Sequence, residues 1–204
     1  MGKSDSIILP IYSNIMPKNL PIAMLGFSTN NLINQQVDLY DLSLHNWDIN
    51  NDWKLKHNKY NSIVCTRCPY FAKNPEQFII NCHEHLIDKG EILIDFGLGD
   101  HWRFEKYKVG WVKDDEQEWA YFEGNFLWST VWDDAFLENE QFKLFTKRVK
   151  KFNYTNVKQA IFDEVPSVLE LSFIRKYFDI SYELLALWED YPQLYIFITG
   201  TKKV

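Results

Sequence analysis

The sequence predicts an α/β protein: a largely parallel sheet, helices on its faces, and an antiparallel strand at the C-terminal end. Three observations predict it. Tyr60 to Asp95 reads as one βαβ unit, with an apolar run at Ser62–Thr66, a capped helix, a turn at Gly90 and a second apolar run at Glu91–Asp95. Ile180–Trp188 and Leu194–Gly200 read as strands joined through Glu189-Asp-Tyr-Pro192, a connection so short that it requires an antiparallel hairpin. Ile22–Leu25 is an apolar run bounded by Pro21 and Gly26 and reads as a buried strand, although periodicity alone does not separate it from a buried helix segment.

In chain order, residues 1–20 carry Pro10 and Pro17 and read as a leader laid over the surface. After Ile22–Leu25 comes a turn-rich loop, Gly26-Phe-Ser-Thr-Asn-Asn31, and residues 30–36 have room for two helical turns. Val37–Asp41 alternates as a strand does, and Asn46–Asp52 reads as loop. Asn74-Pro75-Glu76-Gln77 starts a helix, with Asn as the cap, Pro at the first helical position and Gln at the third. Phe78, Cys82 and Leu86 recur every four residues and form its buried stripe. Tyr107–Trp132 holds short aromatic runs broken by Gly110, Asp114-Asp115 and Gly124-Asn125, and reads as a β-rich or irregular insertion at about 104–133. Helical patterns return at Asp134–Phe152 and again from Val165-Pro166-Ser167, with Leu169, Phe173 and Tyr177 on one face. No internal repeat and no linker divides the chain, so the expectation is a single domain over 1–204.

The bulk composition narrows the function. The chain has 204 residues, long enough to bury a core, and its 46% hydrophobic and 25% charged content is that of a soluble globular protein. A net charge of −6 argues against non-specific nucleic-acid binding, which needs cations to neutralise phosphates. Three cysteines make no disulfide framework and fit a reducing, cytoplasmic setting. No secretory signal and no membrane-length apolar stretch is visible. Cys65-Thr-Arg-Cys68 with Cys82, His83 and His85 has zinc-like spacing, but the second pair is missing and two of the cysteines fall on buried positions, so no metal is expected. Cys68 reads as a packed cysteine rather than a nucleophile.

Two loops carry candidate chemistry, because open α/β sheets bind ligands outside the carboxyl ends of their strands. Arg67-Cys68-Pro69-Tyr70-Phe71 follows the strand of the βαβ unit. Asp95-Phe-Gly-Leu-Gly-Asp100-His101-Trp102-Arg103 follows the next one. There His101 is a candidate general base, oriented by Asp100 or Asp95, and Arg103 a candidate for bidentate binding of a carboxylate or phosphate.

Residues 60–200 resemble the second half of a class I S-adenosylmethionine-dependent methyltransferase. In that family the last strand is inserted antiparallel through a reversed hairpin, as Ile180–Gly200 suggests, and the fourth strand is followed by an acidic or amide residue, prolines and an aromatic, the place held here by Arg67–Phe71. The resemblance implies a Rossmann-like methyltransferase sheet and S-adenosylmethionine as cofactor. It implies that Gly26 and Ser28 lie in the cofactor loop, that Asp41 holds the ribose, and that Trp47 and Asp48 hold the adenine. Arg67 and Phe71 then border the cofactor, and Tyr70 shapes its methyl end, where an aromatic ring favours a sulfonium cation.

The first half departs from the family's pattern. Three strands with two crossover helices want roughly 60 residues, and Ile22 to Asn61 supplies roughly 40 by the same count. A helix or a whole βα unit is therefore shortened or lost, and Val37–Asp48 is either the second strand with its loop or the third. The leading expectation is methyl transfer to a small-molecule acceptor, with His101 removing the acceptor proton and Arg103 orienting the acceptor. The alternatives are a methyltransferase-like binding module without catalysis and, against the acidic charge, a nucleic-acid methyltransferase. The aromatic insertion is either a pocket wall or a surface for homo-oligomer formation.

Overall fold

The structure is a computed structural model, and it describes residues 5–27, 37–66, 68–100, 129–148, 158, 161–162, 167–188 and 193–204. Six strands form the main sheet. They are β1 (Ile22–Leu25), β2 (Asp38–Tyr40), β3 (Tyr60–Cys65), β4 (Leu86–Asp100), β7 (Phe178–Leu187) and β8 (Gln193–Lys202), in the order β2-β1-β3-β4-β8-β7. The pairs β1–β2, β1–β3 and β3–β4 are parallel, whereas β4–β8 and β7–β8 are antiparallel. The expected hairpin therefore closes the sheet, and β8 rather than β7 lies against the parallel strands. A second, two-stranded parallel sheet pairs β5 (Ser129–Trp132) with β6 (Ser167–Glu170).

Between Ile22 and Asn61 the described residues form two strands, not three. β2 pairs directly with β1 and is the edge strand of the sheet among the described residues. The short helix α2 (Leu42–His45) and a loop lead from β2 to β3. That loop is fastened back to the sheet by hydroxyls. Tyr40 and Tyr60 share a hydrogen bond of 2.7 Å, the Lys56 backbone N–H donates to the Tyr40 hydroxyl at 2.8 Å, and Lys56 Nζ reaches Asp38 at 2.9 Å.

Residues 5–15 correct one expectation. They form helix α1 (Asp5–Ile15) rather than a surface leader, and Pro10 lies inside it. Ile8, Tyr12 and Met16 fall on one helical stripe and pack on Met24, Val64, Leu93, Tyr195 and Phe197. Burying a side chain such as Ile8 contributes about 1.5–3 kcal/mol, and this stripe offsets the hydrogen bond that an interior proline removes.

The opposite face of the sheet is covered by α3 (Pro75–His85) and α5 (Leu171–Tyr177), with α4 (Glu140–Arg148) against β7. Helix α3 starts as its sequence requires: Asn74 accepts from the Gln77 backbone N–H at 3.0 Å, and Pro75 takes the first turn, where no donor is needed. Phe78, Cys82 and Leu86 are buried, as their spacing predicts. Residues 167–170 correct a second expectation, because they form strand β6 and only Leu171 onward is helical. Helical periodicity at Leu169, Phe173 and Tyr177 did not reveal that Leu169 is held by a ladder to Val131. The expected helical turns at 30–36 and most of the aromatic insertion lie outside the described residues. Among the described residues, no helix is long and apolar enough to cross a membrane.

Candidate functional site

The parallel direction of β1, β2 and β3 brings their carboxyl ends to one edge of the sheet. Gly26 follows β1 with φ +81°, a left-handed conformation that favours glycine. Its backbone N–H donates to Tyr40 O at the end of β2, at 2.7 Å. A Cβ at this position would stand 2.6 Å from Cys68 Cβ and 3.2 Å from its Sγ. The close approach that requires glycine is therefore to the loop after β3. There Cys68 precedes a single 3₁₀ turn, Pro69–Phe71, and accepts from the Phe71 backbone N–H at 2.9 Å.

Asp41 follows β2 and caps α2: its Oδ1 accepts from the Ser43 backbone N–H at 2.9 Å and from the Ser43 hydroxyl at 2.5 Å. Asp48 organises the next turn, accepting from the backbone N–H and side-chain amide of Asn50 at 2.9 and 3.2 Å. Asn50 carries that turn to the loop after β3. Its amide donates to Phe71 O at 3.2 Å, and its Oδ1 accepts from the Lys73 backbone N–H at 2.7 Å. Phe71 is half-buried against the core.

A groove of about 790 Å³ lies along the end of β2, lined by Tyr40, His45, Trp47, Asp48, Asn50 and Lys54 among others. The Trp47 ring is buried against Tyr40 and Trp53, with centroids 6.2 and 5.4 Å away. Its Nε1–H is buried without a hydrogen-bond partner among the described residues. An indole N–H in that condition costs about 1–3 kcal/mol unless a ligand or water accepts from it.

On the α1 face of the same edge, Asp95 of β4 is fully buried. Thr66, the residue after β3, donates to its Oδ2 at 2.5 Å, and Tyr12 of α1 donates to the same oxygen. Burial, and then the neighbouring Asp95 charge, raise the Tyr12 phenol well above its ordinary pKa of 10.0. Burial also raises the thiols of Cys65 and Cys82, and Cys65 is held up further by its hydrogen bond with Cys68. Among the described residues, no group of three or more His, Cys, Asp or Glu side chains is placed to hold a metal ion.

No family model matches the chain, and no curated protein matches it. Solved structures do. Phosphoethanolamine N-methyltransferase 2 of Haemonchus contortus, in complex with S-adenosyl-L-methionine, is 11% identical and superposes with a TM-score of 0.50 over 100% of this chain and 53% of its own. This protein has the class I methyltransferase fold. An S-adenosylmethionine-dependent methyltransferase of Methanosarcina mazei gives 12% identity and a TM-score of 0.47, over 96% of this chain and 98% of its own. One of Thermotoga maritima gives 11% and 0.44, over 96% and 87%.

Within this methyltransferase fold, the structure brings Gly26, the Asp48 turn and Phe71 to the same edge and ties them through Tyr40, Asn50 and Cys68. Asp41 lies one residue beyond β2, and Trp47 closes the floor of the adjoining groove. Tyr70 is the middle residue of the 3₁₀ turn. Ser28, Arg67, His101 and Arg103 lie outside the described residues. β5 returns from the aromatic insertion beside β4, where the Thr130 hydroxyl donates to Gly97 O at 3.3 Å.

Sequence reasoning missed Tyr12, Thr66 and Asn50. For Tyr12 there was a signal, the spacing Ile8, Tyr12, Met16, in a stretch read as a surface leader. For Thr66 and Asn50 there was none, since a threonine or asparagine in a loop has many local uses.

Proposed function

We propose that this protein is an S-adenosylmethionine-dependent methyltransferase acting on a small-molecule acceptor, with the cofactor at the carboxyl ends of β1, β2 and β3. The observation that carries the proposal is the unpartnered Trp47 Nε1–H at the groove beside β2. A purine ring nitrogen is an acceptor of the right kind for it. Asp48 fits the same group: its carboxylate has about four lone-pair sites, and its own turn uses only some of them.

When bound, S-adenosylmethionine supplies an electrophilic methyl on a sulfonium sulfur. The chain's contribution is to bind and orient. Gly26 and Ser28 border the methionine end, Asp41 takes the ribose hydroxyls, and Trp47 and Asp48 take the adenine. Arg67, Tyr70 and Phe71 line the methyl end from the loop after β3. His101 removes the acceptor proton and Arg103 orients the acceptor. In-line displacement makes positioning the main source of rate, so the rigidity that Asn50 and Gly26 confer on these loops matters to catalysis.

One observation favours the alternative, a binding module without catalysis: only two strands precede β3 among the described residues. Calorimetry with S-adenosylmethionine separates the two readings. The enzyme binds, and Asp41→Ala and Asp48→Ala each weaken binding. Absence of heat at millimolar cofactor rejects the enzyme reading and leaves the module. Light scattering tests whether the aromatic insertion joins copies of the chain.

A further inference from the structure

The two edges of the main sheet are built differently. β2, Asp38–Tyr40, is three residues long, and so short an edge offers little to another strand. β7, Phe178–Leu187, is ten residues long and runs beside β8 without a register shift. Its sequence, Phe-Asp-Ile-Ser-Tyr-Glu-Leu-Leu-Ala-Leu, holds no proline and no lysine, and its ladder holds no bulge. Those are the devices that keep a long edge from pairing.

One bond fixes which backbone groups of β7 point outward. The Lys203 N–H donates to Tyr177 O at 2.9 Å, and these two residues continue the β7–β8 register. In an antiparallel ladder, residues bonded to the neighbouring strand alternate with residues turned away from it. Asp179, Ser181, Glu183, Leu185 and Leu187 therefore bond to β8, and Phe178, Ile180, Tyr182, Leu184 and Ala186 turn their N–H and C=O groups outward. Among the described residues, no other strand pairs with β7. The side chains of the outward set all pack on the core, where the Tyr182 ring meets Phe136 at 5.3 Å. Asp179, Ser181 and Glu183 are exposed on the other face.

We propose that β7 is a dimer interface, pairing antiparallel with β7 of a second copy about a two-fold axis at Tyr182. A two-fold axis normal to the sheet sets a strand antiparallel to itself, keeps each side chain on its own face and closes after two copies. Charge and bonding select the residue on the axis. Centred on Ser181, the pairing sets Asp179 opposite the partner's Glu183; centred on Glu183, it sets two glutamates opposite each other. Like charges directly opposite are destabilising. Centred on Ile180 or Leu184, it leaves outward residues at one end of β7 without a counterpart in the strand. Centred on Tyr182, it joins every outward residue to another: Phe178 to the partner's Ala186, Ile180 to the partner's Leu184, and Tyr182 to its own copy. The same centre sets Ser181 opposite the partner's Glu183. The interface rests on the sheet and not on the cofactor reading.

The test is sedimentation equilibrium of the full chain over a range of concentrations, with variants at the exposed positions 181 and 183. The unaltered chain is expected to dimerise reversibly. Ser181→Glu faces the partner's Glu183 at two symmetric points and is expected to weaken the dimer roughly twofold to thirtyfold. Ser181→Lys puts a cation there and is expected to strengthen it by a similar factor. Ser181→Glu combined with Glu183→Lys restores opposite charges and is expected to dimerise at least as well as the unaltered chain. All three variants lose the 2.8 Å bond between the Ser181 and Thr199 hydroxyls, so that loss cannot give effects of opposite sign. A chain that stays monomeric at every concentration overturns the proposal. So does a dimer that responds alike to glutamate and lysine at 181, because its contact is then on another surface. A double variant as weak as Ser181→Glu overturns the pairing at Tyr182.

Discussion

The Tyr12 hydroxyl donates to the carboxylate of Asp95, a fully buried acid 83 positions further along the chain. Thr66 Oγ1 donates to the same oxygen at 2.5 Å. One carboxylate thus joins α1, β4 and the loop after β3. Removing one donor leaves a buried charge less well satisfied, which costs about 1–3 kcal/mol. Tyr12→Phe is expected to lower the urea midpoint accordingly while α1 keeps its apolar stripe. An unchanged midpoint would show that the bond does not hold the helix down.

The same pair sets a dependence on pH. The folded phenol of Tyr12 titrates above its ordinary value of 10.0. Above that pH the unfolded chain releases this proton and the folded chain keeps it, so the unfolded state binds fewer protons and stability falls as pH rises. The contribution is fully present below pH 10.0 and is lost above it. Cys65 and Cys82, raised from 9.0, begin the decline earlier. Denaturation from neutral to strongly alkaline pH should show this fall, and Tyr12→Phe should reduce its slope above the tyrosine range. A parallel profile in the variant would exclude Tyr12 as a source.

Gly26→Ala meets two obstacles. The left-handed backbone costs a residue with a Cβ about 1–2 kcal/mol, and the new atom would stand 2.6 Å from Cys68 Cβ. The two are separable. Pairing Gly26→Ala with Cys68→Gly removes the clash and leaves the strain, so thermal denaturation should show partial recovery in the double variant. No recovery would place the whole cost in the backbone.

Asn50→Ala removes both bonds that tie the Asp48 turn to the loop after β3. The expected loss is about 1–2 kcal/mol of stability, from two modest hydrogen bonds. Hydrogen exchange should quicken at the Lys73 amide, which Asn50 Oδ1 holds at 2.7 Å, before it changes in β3. Exchange unchanged at Lys73 would remove Asn50 as the tether.

Trp47→Phe keeps an aromatic ring and deletes the unpartnered N–H. Cofactor affinity measured by calorimetry should drop by roughly tenfold, the worth of one hydrogen bond from a buried donor. Unchanged affinity would take the indole N–H out of the site.

Much of the fold could be read locally. Asn74-Pro75 caps α3, Pro21 and Gly26 bound β1, and the four-residue connection after Trp188 forces a hairpin, because each signal acts within a few residues. Two of the misread segments turn on distant partners. Pro10 is carried inside a helix because the stripe of α1 meets the sheet, and Leu169 is a strand residue because β5 pairs with it. Of the proposed site, Gly26, Asp41, Trp47, Asp48 and Phe71 were legible as loop residues that follow strands, but their connections were not. Asn50 was an unremarked loop amide until it bridged two loops.

The order of residues is enough to define an α/β chain with a parallel βαβ unit, a reversed terminal hairpin and too few residues for three strands with two crossover helices before β3. Those properties follow from periodicity, capping and chain length, which are local or additive. What needed the folded chain is that β2 stands beside β1 at the edge of the described sheet, that Cys68 fills the space Gly26 leaves, and that Asp95 is shared by Tyr12 and Thr66. Each of these is a contact between segments far apart in the chain, fixed by which buried polar group or void each side chain satisfies, and no local pattern encodes that pairing.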